Sequence, residues 1–195
     1  MQDKKYQLLR HDTIVRDGRT LYRIEALHRW PRDLQKGEKG GYVESEANLS
    51  QEGSCWLFDD ACAYEDARVE GEACLYDQAT LRGKAKLLEN AILRDHAVAE
   101  GEAILRGWSS LQQQASVTGH AVLEGKVQLE DFVHVGGNAY LKGDPIAYLW
   151  LTGNTMILGD TFIHGYGTLA QRDAIFEEGS FKILGDYCLR ERRKR

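Results

Sequence analysis

Gly71-Glu72-Ala73-Cys74-Leu75-Tyr76-Asp77-Gln78-Ala79-Thr80-Leu81-Arg82-Gly83-Lys84-Ala85-Lys86-Leu87 is one six-residue phrase written three times over. Its form is Gly-x-Ala-x-Leu-x, with Asp able to stand in the glycine place. Counted in sixes from Leu57 to Ala147, all 16 positions are apolar and 13 are Leu or Val, so the pattern is a repeat and not a local accident. Two residues before each, 11 of 16 positions are Ala, which marks a crowded interior that admits small side chains. Two residues earlier again, glycine or a turn-forming polar residue recurs, as at Gly53, Asp59, Gly71, Asp77, Gly101 and Asp131.

A period of six does not suit an α-helix, which turns every 3.6 residues. It suits a short strand and a tight corner. Ala and Leu stand two apart, so both point to one side of a strand. Gly or Asp stands where the chain bends and a positive φ is needed. Three units close a triangular coil of about 18 residues, and coils stack by strand pairing about 4.8 Å apart. The expected fold is therefore all-β, a single-stranded β-helix solenoid. The period alone leaves its handedness open.

The register breaks twice. Leu49 to Leu57 is eight residues, with Ser50-Gln51-Glu52-Gly53 between them. A slip over Asp144–Asn154 restarts the series as Ile157, Ile163, Leu169, Ile175 and Phe181. From Val43 to Ile183 the solenoid holds about eight coils and stands on the order of 38 Å tall. Upstream, Tyr6-Gln7-Leu8-Leu9 and Thr13-Ile14-Val15 lead through Asp17-Gly18 into Arg19-Thr20-Leu21-Tyr22-Arg23-Ile24, a hairpin signal. An open solenoid end needs a cap, and this hairpin is expected to supply it. The chain divides into a cap and linker at 1–40, a solenoid at 41–185 and a basic tail at 186–195. From Leu189 to Arg195 the tail sets Arg190, Arg192, Arg193, Lys194 and Arg195 against Glu191. It reads as a solvated end or as a contact for an acidic partner or phosphates.

Composition narrows the function. A hydrophobic share of 43% beside 28% charged residues fits a soluble folded chain, not a disordered one. No apolar run approaches the roughly 18 residues that span a bilayer, and the first residues lead into no apolar signal core, so a cytoplasmic protein is expected. A net charge of −5 disfavours nucleic acid except through the tail. Cys55, Cys62, Cys74 and Cys188 form no C-x-x-C pair, so no metal site is expected.

The stretch Arg19–Leu27, the block Lys39-Gly40-Gly41-Tyr42-Val43-Glu44-Ser45-Glu46-Ala47-Asn48-Leu49-Ser50 and repeats such as Val69-Glu70-Gly71-Glu72-Ala73 resemble the YdcK-like hexapeptide-repeat proteins of enterobacteria and their phages and prophages. The likeness covers roughly residues 6–147. It implies a left-handed β-helix related to the trimeric acyltransferases. Members often carry an acetyltransferase label on fold grounds, which is analogy and not chemistry.

Such acyltransferases use a trimer, a loop leaving one corner and a histidine base near the acyl-CoA thioester. Here His96 and His120 sit beside corners four units apart and form no pair. His134 and His164 flank the slip and are the weak catalytic candidates. No insertion interrupts the register between Leu57 and Ala147, so the usual loop is not expected. The outward faces are more informative. One carries Trp56, Phe58, Cys74, Tyr76 and Ile92, and another carries Leu88, Ile104, Val122 and Tyr140. Contiguous apolar surface marks either an interface or a face covered by the chain's own ends. The reading is a non-catalytic binding or scaffold protein of phage type. It would act as a homo-oligomer, dimer or trimer, with no cofactor, and present flat walls to a host protein or small molecule. The alternative is an O- or N-acetyltransferase using acetyl-CoA at a site between subunits.

Overall fold

The computed structural model describes residues 4–29, 31, 33–171, 174–185 and 187–191, and among them it is all-β with no helix. From Trp56 to Val122 a short strand begins every six residues. Each pairs in parallel with the strand 18 residues on, so Trp56, Cys74, Ile92 and Ser110 stand in one column. Three columns make three walls, and about eight turns stack into a solenoid. The first wall points Leu57, Leu75, Leu93 and Leu111 inward. The second points Ala63, Leu81, Ala99 and Val117 inward, and the third Val69, Leu87, Leu105 and Leu123. All of these are fully buried, as are the small residues two before them, alanine except at Cys55 and Ser109. Leucine fills the axis, and alanine lets the backbone close at the corner.

The corners explain why Asp replaces Gly. Asp59, Asp77, Asp95, Gln113 and Asp131 stack along one edge with φ between 53° and 59°. Left-handed backbone costs an L-residue about 1–2 kcal/mol. Here the side chain gives something back. The Asp77 carboxylate accepts from Asp95 N at 3.2 Å, Asp95 from Gln113 N at 2.8 Å and Asp131 from Gly153 N at 2.9 Å. On another edge glycines take the place: a Cβ on Gly119 would stand 2.8 Å from the Gly137 carbonyl oxygen.

Strand β1 (Tyr6–Arg16) and β2 (Arg19–Ala26) form the antiparallel hairpin, and β2 pairs with β3 (Lys39–Val43), which enters the solenoid beside Cys62–Ala63. Leu21, Tyr42, Cys62 and Tyr64 form a second small core under the hairpin. Tyr6 and Ile24 join the main core at the solenoid's first turn. Asp17 ties the hairpin tip to the second wall through the Tyr64 hydroxyl and Arg82, each at 2.7 Å. Asp12 meets Lys39 at 2.8 Å.

Both expected register breaks are present. Leu49 pairs with Val69, twenty residues on, because two residues are added after Leu49. Tyr140 pairs with Phe162 and His134 with Met156, each 22 residues on, because a loop adds four residues near Asp144. Two expected positions are corrected by this. Ala147 is not an inward residue; it lies in the loop, half-buried, and Leu151 takes its place opposite Leu129. Ile175 is 60% exposed, because the register there is displaced by one residue, so that Phe176 pairs with Ile157 before the pairing returns to step at Asp160 and Glu178. The strand Met156–Gln171 crosses all three walls in turn. The strand Tyr187–Glu191 then folds back antiparallel on Ile175–Leu184, with Arg190 opposite Phe181.

Two outcomes are expected. Asp95→Ala should lower the urea-unfolding free energy by about 1–2 kcal/mol, more than Asp95→Gly, since only the alanine must also hold a left-handed φ. The Asp12 carboxyl is held low chiefly by the Lys39 hydrogen bond, and that of Asp17 chiefly by the Tyr64 hydroxyl. The folded values lie below the unfolded ones, so this stabilisation is complete above about pH 5 and is lost as pH falls through the folded values. Hydrogen exchange, corrected for its intrinsic pH dependence, should show β1 losing protection in acid before the central coils.

Candidate functional site

The two apolar ladders have different fates. On the first wall Trp56 is fully buried and meets Tyr6 edge-on at 6.1 Å between ring centroids. It is part of the capped end of the solenoid, not a partner surface. Phe58 and Tyr76 stack at 4.6 Å, nearly parallel, and pack on the main core. Arg94 lies over Tyr76 at 5.2 Å. Ile92 remains half-buried. It lines a broad cleft of about 800 Å³ with Trp108, Asn90, Glu72 and Pro31. Trp108 is 55% exposed at its corner.

The third wall is the uninterrupted one. Ile104, Val122, Tyr140 and Phe162 stand in a single column on adjacent strands, all half-buried. Leu88, also half-buried, flanks the column on its own coil. The Tyr140 ring stacks on Phe162 at 5.3 Å, and Phe162 on His164 at 5.0 Å. A charged seam runs beside the column. The Tyr140 hydroxyl donates to Glu124 at 2.8 Å, Arg106 also pairs with Glu124, and Lys142 approaches it at 3.5 Å. The Tyr140 bond, then Arg106, hold the Glu124 carboxyl below the usual range. Burial, then Glu124, push the Tyr140 phenol up. Glu124 is therefore a fixed anion that orients the Tyr140 ring. Phe162 was missed because the four-residue loop moves it out of the six-residue count. Counting 22 from Tyr140 finds it.

The two catalytic candidates are not brought together. His134 stands on the second wall, with Nδ1 at 2.8 Å from the Ser116 hydroxyl. It lines a cleft of about 370 Å³ with Phe132, Asn154, Met156 and Ile175. His164 stands on the third wall between Lys142 and Lys182 on the neighbouring strands. The loop after Gly143 overhangs it. This is a correction to the expectation of an uninterrupted register, since the loop begins before Ala147. Asp144 accepts from Ile146 N at 2.8 Å, and Lys126 donates to the Ile146 carbonyl at 2.9 Å, so the loop is tied down. Between loop and wall lies a cleft of about 330 Å³ lined by Lys142, Asp144, Pro145, His164, Tyr166 and Lys182.

The remaining candidates are quickly placed. His120 is an exposed corner residue 3.4 Å from Glu102. Cys55, Cys62 and Cys74 are buried and stand outside any disulfide. Among the described residues no three His, Cys, Asp or Glu side chains converge as metal ligands. No helix among them is long and apolar enough to cross a membrane. In the basic tail, Arg190 lies in the last strand, while Arg192, Arg193, Lys194 and Arg195 fall outside the described residues. No protein-family model matches the chain, and no curated protein matches it.

The contrast between the ladders is measurable. Trp56→Ala should cost about 3–5 kcal/mol of stability in chemical denaturation. Ile104→Ser, on the open wall, should cost about 1 kcal/mol or less.

Proposed function

We propose that this chain is a non-catalytic binding or scaffold protein that docks its third wall, through Ile104, Val122, Tyr140 and Phe162, onto an apolar surface of a partner. The observation that carries this is the column itself. Four apolar residues lie in register along four consecutive strands of that wall, whereas the hairpin tip is tied to Tyr64 and Arg82 on the second wall. Their rigid backbone needs little ordering on binding, so the apolar area removed from water is not offset by a large loss of loop entropy. A second copy of the chain is the first partner to test, and a host protein or small molecule the next. The resemblance to YdcK-like hexapeptide-repeat proteins supports a phage or prophage origin.

One observation favours a second reading. The Asp144 loop overhangs a wall histidine, and a loop beside a histidine is what a hexapeptide acetyltransferase uses to hold an acyl donor. In that reading acetyl-CoA enters the His164 cleft, and His164 Nε2 or Nδ1 removes the acceptor's proton. His134 then has no part, being on another wall.

Native mass spectrometry with and without acetyl-CoA separates the two. The scaffold reading expects a dimer or trimer that ignores acetyl-CoA and falls to a monomer in Ile104→Glu. Retention of one acetyl-CoA per chain, lost in His164→Ala with an acetyl-transfer activity, would replace it. A wild-type monomer would remove the self-association and direct the search to other partners.

A further inference from the structure

Lys5 is 1% exposed, at the point where the chain enters β1. Its Nζ donates to the Cys55 carbonyl at 2.9 Å and reaches the Glu52 and Gly53 carbonyls, each at 3.4 Å. It also lies 3.2 Å from the Cys55 Sγ. The backbone nitrogen of Lys5 is held by the Gln51 side chain at 2.9 Å. Amine and thiol are thus fixed side by side in a buried site, where the two-residue break after Leu49 opens the first coil.

The carbonyls account for the lysine, and the Cys55 Sγ makes its own long hydrogen bonds, to the Glu52 carbonyl at 3.5 Å and the Ser50 carbonyl at 3.6 Å. Cys55 occupies the small-residue place of the repeat, which alanine fills at 11 of 16 positions. Burial lowers the Lys5 pKa and so raises the share of free amine. Burial also raises that of the Cys55 thiol, which makes its oxidation slow, while the Lys5 amine stands 3.2 Å from the sulfur that would be oxidised.

The geometry points to a modification site: a hydroperoxide converts the Lys5–Cys55 pair into a covalent sulfenamide that staples the N-terminal strand to the first coil. The chemistry balances in two steps. Hydrogen peroxide oxidises the Cys55 thiol by two electrons to a sulfenic acid, and the peroxide leaves as one water. The Lys5 amine lone pair then attacks that sulfur. An S–N bond forms, the S–O bond breaks, and the hydroxide departs with one amine proton as a second water. Thiols reverse the step by attack at sulfur, which returns the amine and yields a mixed disulfide that a second thiol reduces. The flexible Lys5 stem lets the two atoms close from 3.2 Å to bonding distance.

The test uses the full chain, treated with millimolar hydrogen peroxide, alkylated and digested with trypsin. The intact mass should fall by about 2 Da, the loss of two hydrogens. Trypsin should fail to cut after Lys5, and a cross-linked peptide should join Lys5 to Cys55. Dithiothreitol should restore both cleavage and mass. The oxidised protein should melt higher than the reduced one. Cys55→Ala, which the repeat accommodates, should abolish the link and the rise in melting temperature, whereas Cys74→Ala should keep both. A disulfide between Cys55 and Cys74 would overturn the proposal. So would a Cys55 that stays reduced, or stops at an oxyacid, while trypsin still cuts after Lys5.

Discussion

Everything in this molecule rests on parallel pairing between residues one full turn apart. Each coil donates its amides to the carbonyls of the next, as Cys74 N does to Ala91 O at 3.1 Å and Ile92 N to Ser109 O at 2.9 Å. That pairing is regular because each coil between the breaks has the same length and the same three bends. An apolar residue must face an apolar residue above and below, a small residue must leave room at each corner, and a left-handed residue must recur on each edge. Stability comes from neighbouring coils and not from any one of them, since a single turn buries nothing on its own.

The same constraint governs where the chain can depart from the repeat. An added residue inside a strand would turn inward side chains outward on every later coil. Additions therefore fall at corners, where the chain can loop out and rejoin in register. The break after Leu49 receives Lys5 and the capping strand. The longer break near Asp144 stands over a cleft. In both places the irregularity is where side chains of unlike chemistry meet: an amine with a thiol in one, two lysines and an imidazole with a phenol in the other. The regular coils between them hold the inward columns of apolar residues.

Much of this was legible in the amino-acid order because the period is short and its meaning is steric. Leu57 through Leu141 could be placed inward, Asp and Gly at the bends, and Asp17-Gly18 at a hairpin tip without a structure. What escaped the sequence was anything decided by chain length at a break or by contact between distant segments. Phe162 could not be added to the Ile104 column without knowing that the loop adds four residues. Ile175 could not be seen as exposed without the one extra residue that puts Phe176 in its place. Trp56 read as surface because nothing local announces that Tyr6 will lie against it. The pairing of Lys5 with Cys55, 50 residues apart, leaves no mark in either neighbourhood. His134 and His164, close in sequence to the same slip, were separated by a corner onto different walls.

The carboxylates along the corner edge have a consequence for how such a protein can change size. Each accepts from the amide one turn further on, so every coil offers the next one the same socket it received. Removing or duplicating a whole turn would leave every socket matched, whereas any other number of residues would leave two edges mismatched. The open column on the third wall is thus a ruler graduated in steps of about 4.8 Å. Lineages of this fold could lengthen or shorten that column by gaining or losing whole coils, with the sockets matched at each step.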